Sequence, residues 1–220
     1  MPLIPRLRTG EDVITIPTWN AVASFTWTSD ATFTVADDAA NQGIFTPGRP
    51  IRYCAAAGTW RYGIVTGYSS GAVTLAGAPL TTSDDKMEYG DPNRVTVVKF
   101  FVDGKFADEA NAALLVSNAE DPLYWDMGRA YLVQISHQVK KSDSGVSQPH
   151  VTASIMGNAV GTDNANNGLA VAETVIRTTT GINVSSYRVD RGDVVEIVTD
   201  AAGTNGDAET LSGSLVFVLE

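Results

Sequence analysis

Apolar and polar residues alternate through most of residues 185–220, and this pattern predicts paired β-strands. A β-branched run at Val194–Val198 is broken only by Glu196, and apolar side chains continue from Leu215 to Leu219. A period of two is expected where a strand buries one face. The segment 202–207 between these runs is rich in Gly, Asn and Asp, which favour turns. This part of the chain therefore predicts strand, turn, strand, polar loop and strand.

The same alternation predicts a two-sheet domain that begins near residue 94. Apolar strands are expected at 95–102, 129–139, 150–156 and 169–178. Roughly eight strands of this kind suit a jelly-roll β-sandwich. The segment 106–116 stays ambiguous, because its apolar spacing fits either a short helix or an irregular crossover.

A second β pattern precedes this domain, made of short aromatic and β-branched runs separated by turn residues. Strands at this spacing indicate a small barrel or sandwich. The polar, acidic segment LTTSDDKMEYGDPN that follows is the best candidate for a boundary between compact units. The predicted fold is therefore all-β. Its parts are an N-terminal arm (1–20), a small β-barrel or sandwich module (21–79), an acidic linker (80–93) and a C-terminal jelly-roll β-sandwich (94–220).

Composition and charge exclude several classes of protein. Only 18% of the residues are charged, and the net charge is −10. Nucleic acid is therefore not expected as a partner, because its backbone attracts clustered Lys and Arg. Cys54 is the single cysteine, so an intramolecular disulfide is excluded and a small buried side chain is expected. The sequence shows neither a signal-peptide pattern nor an apolar run of membrane-spanning length, so no membrane partner is expected.

One acidic cluster could bind a calcium ion. Carboxylate oxygens are the ligands that calcium prefers, but the spacing here differs from that of a calcium-binding loop. We therefore expect solvated side chains in this cluster, which consists of Asp84, Asp85, Glu88 and Asp91.

The two histidines, His137 and His150, would approach each other if their strands formed a hairpin, with Asp143 between them in sequence. A zinc site needs three or four ligands, so we expect surface or interface histidines instead. Neither a metal nor another cofactor is predicted.

The tripeptide Arg191-Gly192-Asp193 matches an integrin-binding motif, but it lies where the strand pattern needs a turn. We predict a turn at this position.

Five aromatic residues in the first part of the chain could form a carbohydrate platform, because aromatic faces stack on sugars. A small module also needs large side chains to build a core, and we expect most of these residues to be buried. The set consists of Trp19, Trp27, Trp60, Tyr62 and Tyr68.

No catalytic motif is present in the sequence. It contains neither a GxSxG elbow nor a phosphate-binding glycine loop. With 25 acidic residues, some pair of carboxylates is always available, so availability does not predict a glycosidase. A polysaccharide depolymerase is disfavoured because such fibres usually show long β-helical repeats, which are absent here. We predict that the protein is not an enzyme.

The order of the parts along the chain indicates a class of protein. A proline-bearing arm precedes a β module that contains FTPGRPIRY and RYGIVTGYSSGAVTLAG, and an acidic linker and a terminal jelly roll follow. Together these parts resemble virion structural proteins of tailed bacteriophages. The nearest types are capsid decoration proteins of the cement or head-fibre kind, followed by tail or baseplate fibre modules. In such families the jelly roll is similar to tumour-necrosis-factor-like heads and is usually trimeric.

The resemblance implies a non-enzymatic protein that decorates and stabilises a phage capsid as a homotrimer. The implied location is the virion, assembled in the host cytoplasm. The implied partners are further copies of the chain and the major capsid protein or another virion protein. The alternative is a receptor- or carbohydrate-binding fibre module, which would bind a surface glycan through loops such as 158–168 and 202–207 with a nearby aromatic residue.

We expect the first module with its arm (about residues 1–79), and not the jelly roll, to contact the host assembly. The prolines of the arm keep it extended and lower the entropy lost on docking. Arg6 and Arg8 form a basic pair in an acidic chain, and Ile14 and Ile16 lie in a short predicted strand.

Overall fold

The computed structural model describes residues 18–56, 58–106, 113–115, 123–141, 150–162, 176–178, 182, 184–200 and 208–220. The fold is all-β with curled sheets, as predicted. Within the described chain, helical structure is limited to one short α-helix, α1 (Ala39–Ile44), and one 3₁₀ turn at Pro92–Arg94. The Asp38 carboxylate begins α1 by accepting a hydrogen bond from the Asn41 amide at 2.8 Å.

The first module is a seven-stranded antiparallel sheet in the order β1-β7-β4-β5-β6-β3-β2. The strands are β1 (Asn20–Ala21), β2 (Thr26–Ser29), β3 (Thr32–Thr34), β4 (Pro50–Cys54), β5 (Arg61–Ser69), β6 (Ala72–Gly77) and β7 (Lys86–Tyr89). Strand β7 lies inside the acidic segment 80–93, where it pairs with β1 and β4. This part of the acidic segment therefore belongs to the sheet, and the proposed division of the chain into domains stays a prediction.

One face of this sheet encloses an aromatic core. Phe33 and Phe45 meet edge to face with their ring centroids 5.5 Å apart. Ile51 and Tyr53 on β4 are fully buried at alternate positions, as the period of two requires. Cys54 is also buried, as expected, and burial raises the pKa of its thiol. Further buried members of this core are Val65, Val73, Leu75, Leu80 and Met87.

The second domain consists of two facing sheets. One sheet has the order β14-β11-β17-β8 with β15 beside β11, and the other has the order β10-β16-β12-β13 with β9 beside β16. The strands are β8 (Val95–Phe106), β9 (Ala113–Leu115), β10 (Leu123–Tyr124), β11 (Ala130–Lys141), β12 (His150–Ile155), β13 (Asn158–Thr162), β14 (Ile176–Thr178), β15 (Arg188–Val189), β16 (Val194–Asp200) and β17 (Ala208–Leu219). Part of the ambiguous segment 106–116 is thus strand β9.

The connectivity of these strands is that of a jelly roll. The main strands can be numbered in chain order from one (β8) to eight (β17). In this numbering β9 and β10 count together as strand two, and the short strand β15 is omitted. The two sheets then have the orders one-eight-three-six and two-seven-four-five. Two interlocking Greek keys give these orders, so the predicted jelly-roll β-sandwich is confirmed.

The described interior of the sandwich is largely apolar but includes one of the histidines. Trp125 packs against Phe217 at a centroid distance of 4.6 Å, and its indole N–H donates to the Gly128 carbonyl at 2.7 Å. His137, two residues beyond buried Ile135 on β11, is also buried. The expectation of a surface or interface histidine is therefore wrong for His137, because an alternating strand carries it to the buried side.

Gly213 on β17 gives a test of this packing. A Cβ atom at this position would overlap the Phe100 ring and the Ser136 carbonyl oxygen. We expect Gly213→Ala to lower the free energy of unfolding by about 1–3 kcal/mol through overpacking. Gly128→Ala is the matched control, because no atom lies within 4 Å of its added Cβ. Urea unfolding of both variants checks the prediction, and equal midpoints would contradict it.

Candidate functional site

The first module packs against the jelly roll through the outer face of strands β11 and β17. Leu215 and Phe217 alternate with Val216 and Val218, and all four side chains are buried. Successive residues of a strand face opposite sides, so both faces of this part of β17 are covered. Strand β5 of the first module contacts both β11 and β17, and its residue Tyr62 belongs to the same buried cluster.

Three tyrosines from distant parts of the sequence meet at this junction. The rings of Tyr62 and Tyr131 stack with centroids 3.9 Å apart and an interplanar angle of 11°. Tyr187 lies 5.0 Å from Tyr131, and Trp19 meets the edge of Tyr62 at 6.1 Å. Tyr62 is fully buried, in agreement with the core interpretation, whereas Trp27 on β2 is 39% exposed.

Two arginines fix the tryptophans beside this stack. The Arg52 guanidinium lies 4.8 Å from the Trp19 ring centroid and 4.4 Å from that of Trp60, and its Nε donates to Glu88 at 2.7 Å. Arg94 lies over Trp19 at 4.8 Å and donates to the Leu219 carbonyl at 3.3 Å. Burial lowers the pKa of Arg94. These contacts link the two modules and hold Trp60 at their border.

A cleft of about 1040 Å³ opens beside the tyrosine stack. One side is formed by residues 59–61 of the first module, and the other by residues 155–159 and 184–188 of the jelly roll. Tyr131 and Tyr187 are buried side chains in its lining, whereas Trp60 is only partly buried. The cleft thus combines an aromatic base with a border of hydroxyl, amide and charged groups.

The charged side chains of the cleft have partners within the protein. Arg61 donates to the Pro79 carbonyl at 2.6 Å and pairs with Asp84, whose side chain is fully buried. Arg188 pairs with Asp190 at 2.8 Å. Asp193 accepts a hydrogen bond from the Asp190 backbone N–H at 2.8 Å. The cleft is therefore polar without a concentration of one charge.

The candidate calcium cluster does not converge on one point. Asp84 pairs with Arg61, Glu88 with Arg52, and Asp91 accepts a hydrogen bond from the Asn93 amide at 2.9 Å. The described part of the chain contains no group of three or more side chains suited to hold a metal ion. These acidic residues thus serve local pairing and capping, and Asp84 is buried although a solvated side chain was expected.

The two histidines lie on strands that do not pair. His137 is on β11 and His150 is on β12, and these strands belong to different sheets. The hairpin that would have brought the two side chains together is therefore not formed.

The tripeptide Arg191-Gly192-Asp193 forms the predicted turn between β15 and β16. Gly192 has φ +96°, which suits glycine, and the Asp193 amide donates to the Asp190 carbonyl at 3.0 Å. Other predicted site residues lie outside the described residues. They are Arg6, Arg8, Ile14 and Ile16 of the arm, Asp143, and the loop residues 163–168 and 202–207.

Sequence reasoning did not find the cleft itself. Its lining comes from segments near residues 60, 131, 157 and 186, which only the fold brings together. The one available signal was the concentration of aromatic residues around Trp60. The sequence analysis assigns most of these residues to a core and therefore does not predict a site there.

Comparisons with known proteins show distant similarity only. No family model and no curated protein match the chain. A chain in a structure of infectious bursal disease virus, Gx strain, is 16% identical with a TM-score of 0.35, over 95% of this chain and 59% of that one. A chain in a structure of the Gt strain is 17% identical with a TM-score of 0.22, over 94% and 58%. The protein thus spans less than two thirds of either chain.

Among the described residues, no helix has the length and apolar character needed to cross a membrane.

The tyrosine stack predicts sensitivity to alkali. Burial, followed by the charge of neighbouring tyrosines, raises the pKa of Tyr62 and Tyr187. The unfolded chain would lose these protons first, near pH 10. The contribution of these tyrosines to stability should therefore be constant below about pH 10 and fall above it, by up to about 1.4 kcal/mol per pH unit for each tyrosine.

Tyr187→Phe should make this alkaline loss shallower, because the variant has one fewer proton to lose on unfolding. Urea unfolding at a series of pH values measures the slope. If the free energy of unfolding falls with pH equally steeply in Tyr187→Phe and in the unmodified protein, the raised pKa of Tyr187 does not contribute to the alkaline loss of stability.

Proposed function

We propose that this chain is a non-enzymatic structural protein of a virion, one that decorates and stabilises a phage capsid as a homotrimer. The observation that carries the proposal is the jelly-roll strand order of the second domain, with a second β module packed on its outer face. Jelly rolls recur in viral capsid proteins and in lectins. A fold hosts many functions, so the surface of the protein also bears on this role.

The surface offers an apolar patch suited to contact with another subunit. Leu123 and Tyr124 are 36% and 62% exposed, and Met156 is 58% exposed. Tyr124 stands opposite Val194 in the sheet, and the Met156 amide donates to the Val194 carbonyl at 2.9 Å. Tyr124 and Met156 therefore flank one end of β16, and we refer to them, with the adjacent Leu123 of β10, as the β16 patch. Exposed apolar groups of this kind mark interaction surfaces.

The proposed occupant of the β16 patch is a second copy of the chain. Homo-oligomers most often have closed symmetry, and a ring of three copies satisfies every copy equally. The low charge of the chain agrees with a subunit that is partly covered by neighbours.

Sedimentation of the purified protein tests the oligomer. We expect a mass three times the 23.3 kDa of the chain. Tyr124→Lys should shift the protein toward monomer, because a charge would then be buried between copies. Val97→Lys, at a side chain on β8 that is 50% exposed, is the matched control and should leave the mass unchanged. A monomeric unmodified protein at micromolar concentration would count against the trimer.

We further propose that the arm attaches the trimer to the major capsid protein or another virion protein. The basic pair Arg6 and Arg8 would bind an acidic surface, and Ile14 and Ile16 would add a short apolar strand. Trp19 and Asn20, which the arm was expected to include, instead contact the folded modules. A deletion that tests the arm should therefore end at Pro17.

A variant that lacks residues 1–17 should keep its fold and oligomeric state but fail to bind particles stripped of the protein. Co-sedimentation with such particles measures the binding. The double variant Arg6→Gln/Arg8→Gln should show an intermediate loss if the basic pair contributes. Undiminished binding by the deletion variant would show that the arm plays no part in attachment.

A further inference from the structure

The cleft between the modules has the size and position of a ligand site. Ligand pockets usually enclose about 300–1,000 Å³ and often lie where two domains meet. The cleft, at about 1040 Å³, lies at such a border and is large enough for several sugar rings. Ile155, Tyr131 and Tyr187 give it a buried apolar base.

Trp60 supplies a fixed aromatic surface at the border of this cleft. Its ring is held by the Arg52 guanidinium at 4.4 Å, and Arg52 is itself held by Glu88. A side chain that is already immobilised loses little entropy when a ligand binds. The C–H face of a pyranose ring is apolar and flat, so an aromatic ring is a natural partner for it.

The opposite side of the cleft offers groups that suit sugar hydroxyls. Asn158 is exposed, and its amide can both donate and accept hydrogen bonds. The Ser186 hydroxyl donates to the Ala159 carbonyl at 2.9 Å, which leaves its oxygen able to accept. The donors and acceptors of Asn158 and Ser186 therefore stand across the cleft from the aromatic ring. Thr59 adds an exposed hydroxyl on the same side as Trp60.

The charges favour a neutral ligand over an acidic one. Arg61 and Arg188 are each paired with a carboxylate, so an anion would have to compete with Asp84 and Asp190. The chain as a whole carries a net charge of −10, which repels anions.

From this geometry we infer that the cleft is a binding site for a neutral oligosaccharide, which stacks on Trp60 and hydrogen-bonds to Asn158 and Ser186. The inference does not depend on the virion role, because it rests on the residues of the cleft alone. It shares Asn158 with the loop 158–168 that the sequence suggested for a glycan, and it adds Trp60 of the first module.

An array of neutral, carboxylate-bearing and phosphate-bearing oligosaccharides, probed with the full chain, identifies the ligand class. We expect binding to neutral members. Calorimetric titration with the strongest of these should show an affinity loss of about tenfold for Trp60→Ala and about threefold for Asn158→Ala. Trp27→Ala, at a tryptophan outside the cleft lining that is 39% exposed, is the matched control and should bind normally.

The Asn158→Ala variant keeps the test valid if Trp60→Ala also loosens the module junction. Asn158 is exposed, and the hydrogen bond that its side chain makes, to the Met156 carbonyl, is long at 3.3 Å, so its removal should not affect folding. The inference is overturned if no oligosaccharide binds, if only acidic ones bind, or if Asn158→Ala binds as tightly as Trp27→Ala.

Discussion

The structure depends on one stretch of strand β17, Leu215–Val218, that is buried on both faces. It pairs with β8 on one side and β11 on the other, so its backbone hydrogen bonds are used within the sheet. Leu215 and Phe217 face the opposite sheet of the sandwich, while Val216 and Val218 face the first module. A β-sheet with one face in solvent needs apolar side chains on the other face only. A sheet that is covered on both faces needs apolar side chains on both. The run Leu215–Leu219 meets that demand.

The double burial of β17 also explains the arginines at the module junction. Arg94 donates to the Leu219 carbonyl, and Arg129 pairs with Glu220 at 3.3 Å, so the last residue of β17 and the residue after it are each held by an arginine. Guanidinium groups are weakly hydrated and stack on aromatic rings, which makes their partial burial less costly than that of lysine. Arg52 and Arg94 both use Trp19 in this way. The same contacts place Trp60 at the edge of the cleft.

Alternation along the chain was enough to predict the β class and the jelly roll, because a period of two reports directly on strands. It could not show what covers each face. Val216 and Val218 look like ordinary β-branched residues, and only the contact with β5 shows that they form a second core. Asp84 is similar, since its partner Arg61 lies 23 residues away in sequence and no local pattern connects the two. The burial of His137 could not be predicted, because a histidine occurs on either side of a strand and its residue type does not show which side it faces.

The cleft and the β16 patch share a residue, and this connects the two proposed activities. Met156 lines the cleft and is also one of the three side chains of the β16 patch. The Met156 sulfur accepts a hydrogen bond from the Val194 amide at 3.3 Å. The position of Met156 is therefore fixed by β16, the strand with which Tyr124 pairs. A neighbouring subunit that covers the β16 patch would therefore also contact one residue of the cleft lining. Coupling free energies between two binding events are reciprocal. An oligosaccharide that contacts both Trp60 and the neighbouring subunit would therefore stabilise the oligomer by the same free energy by which oligomer formation strengthens oligosaccharide binding.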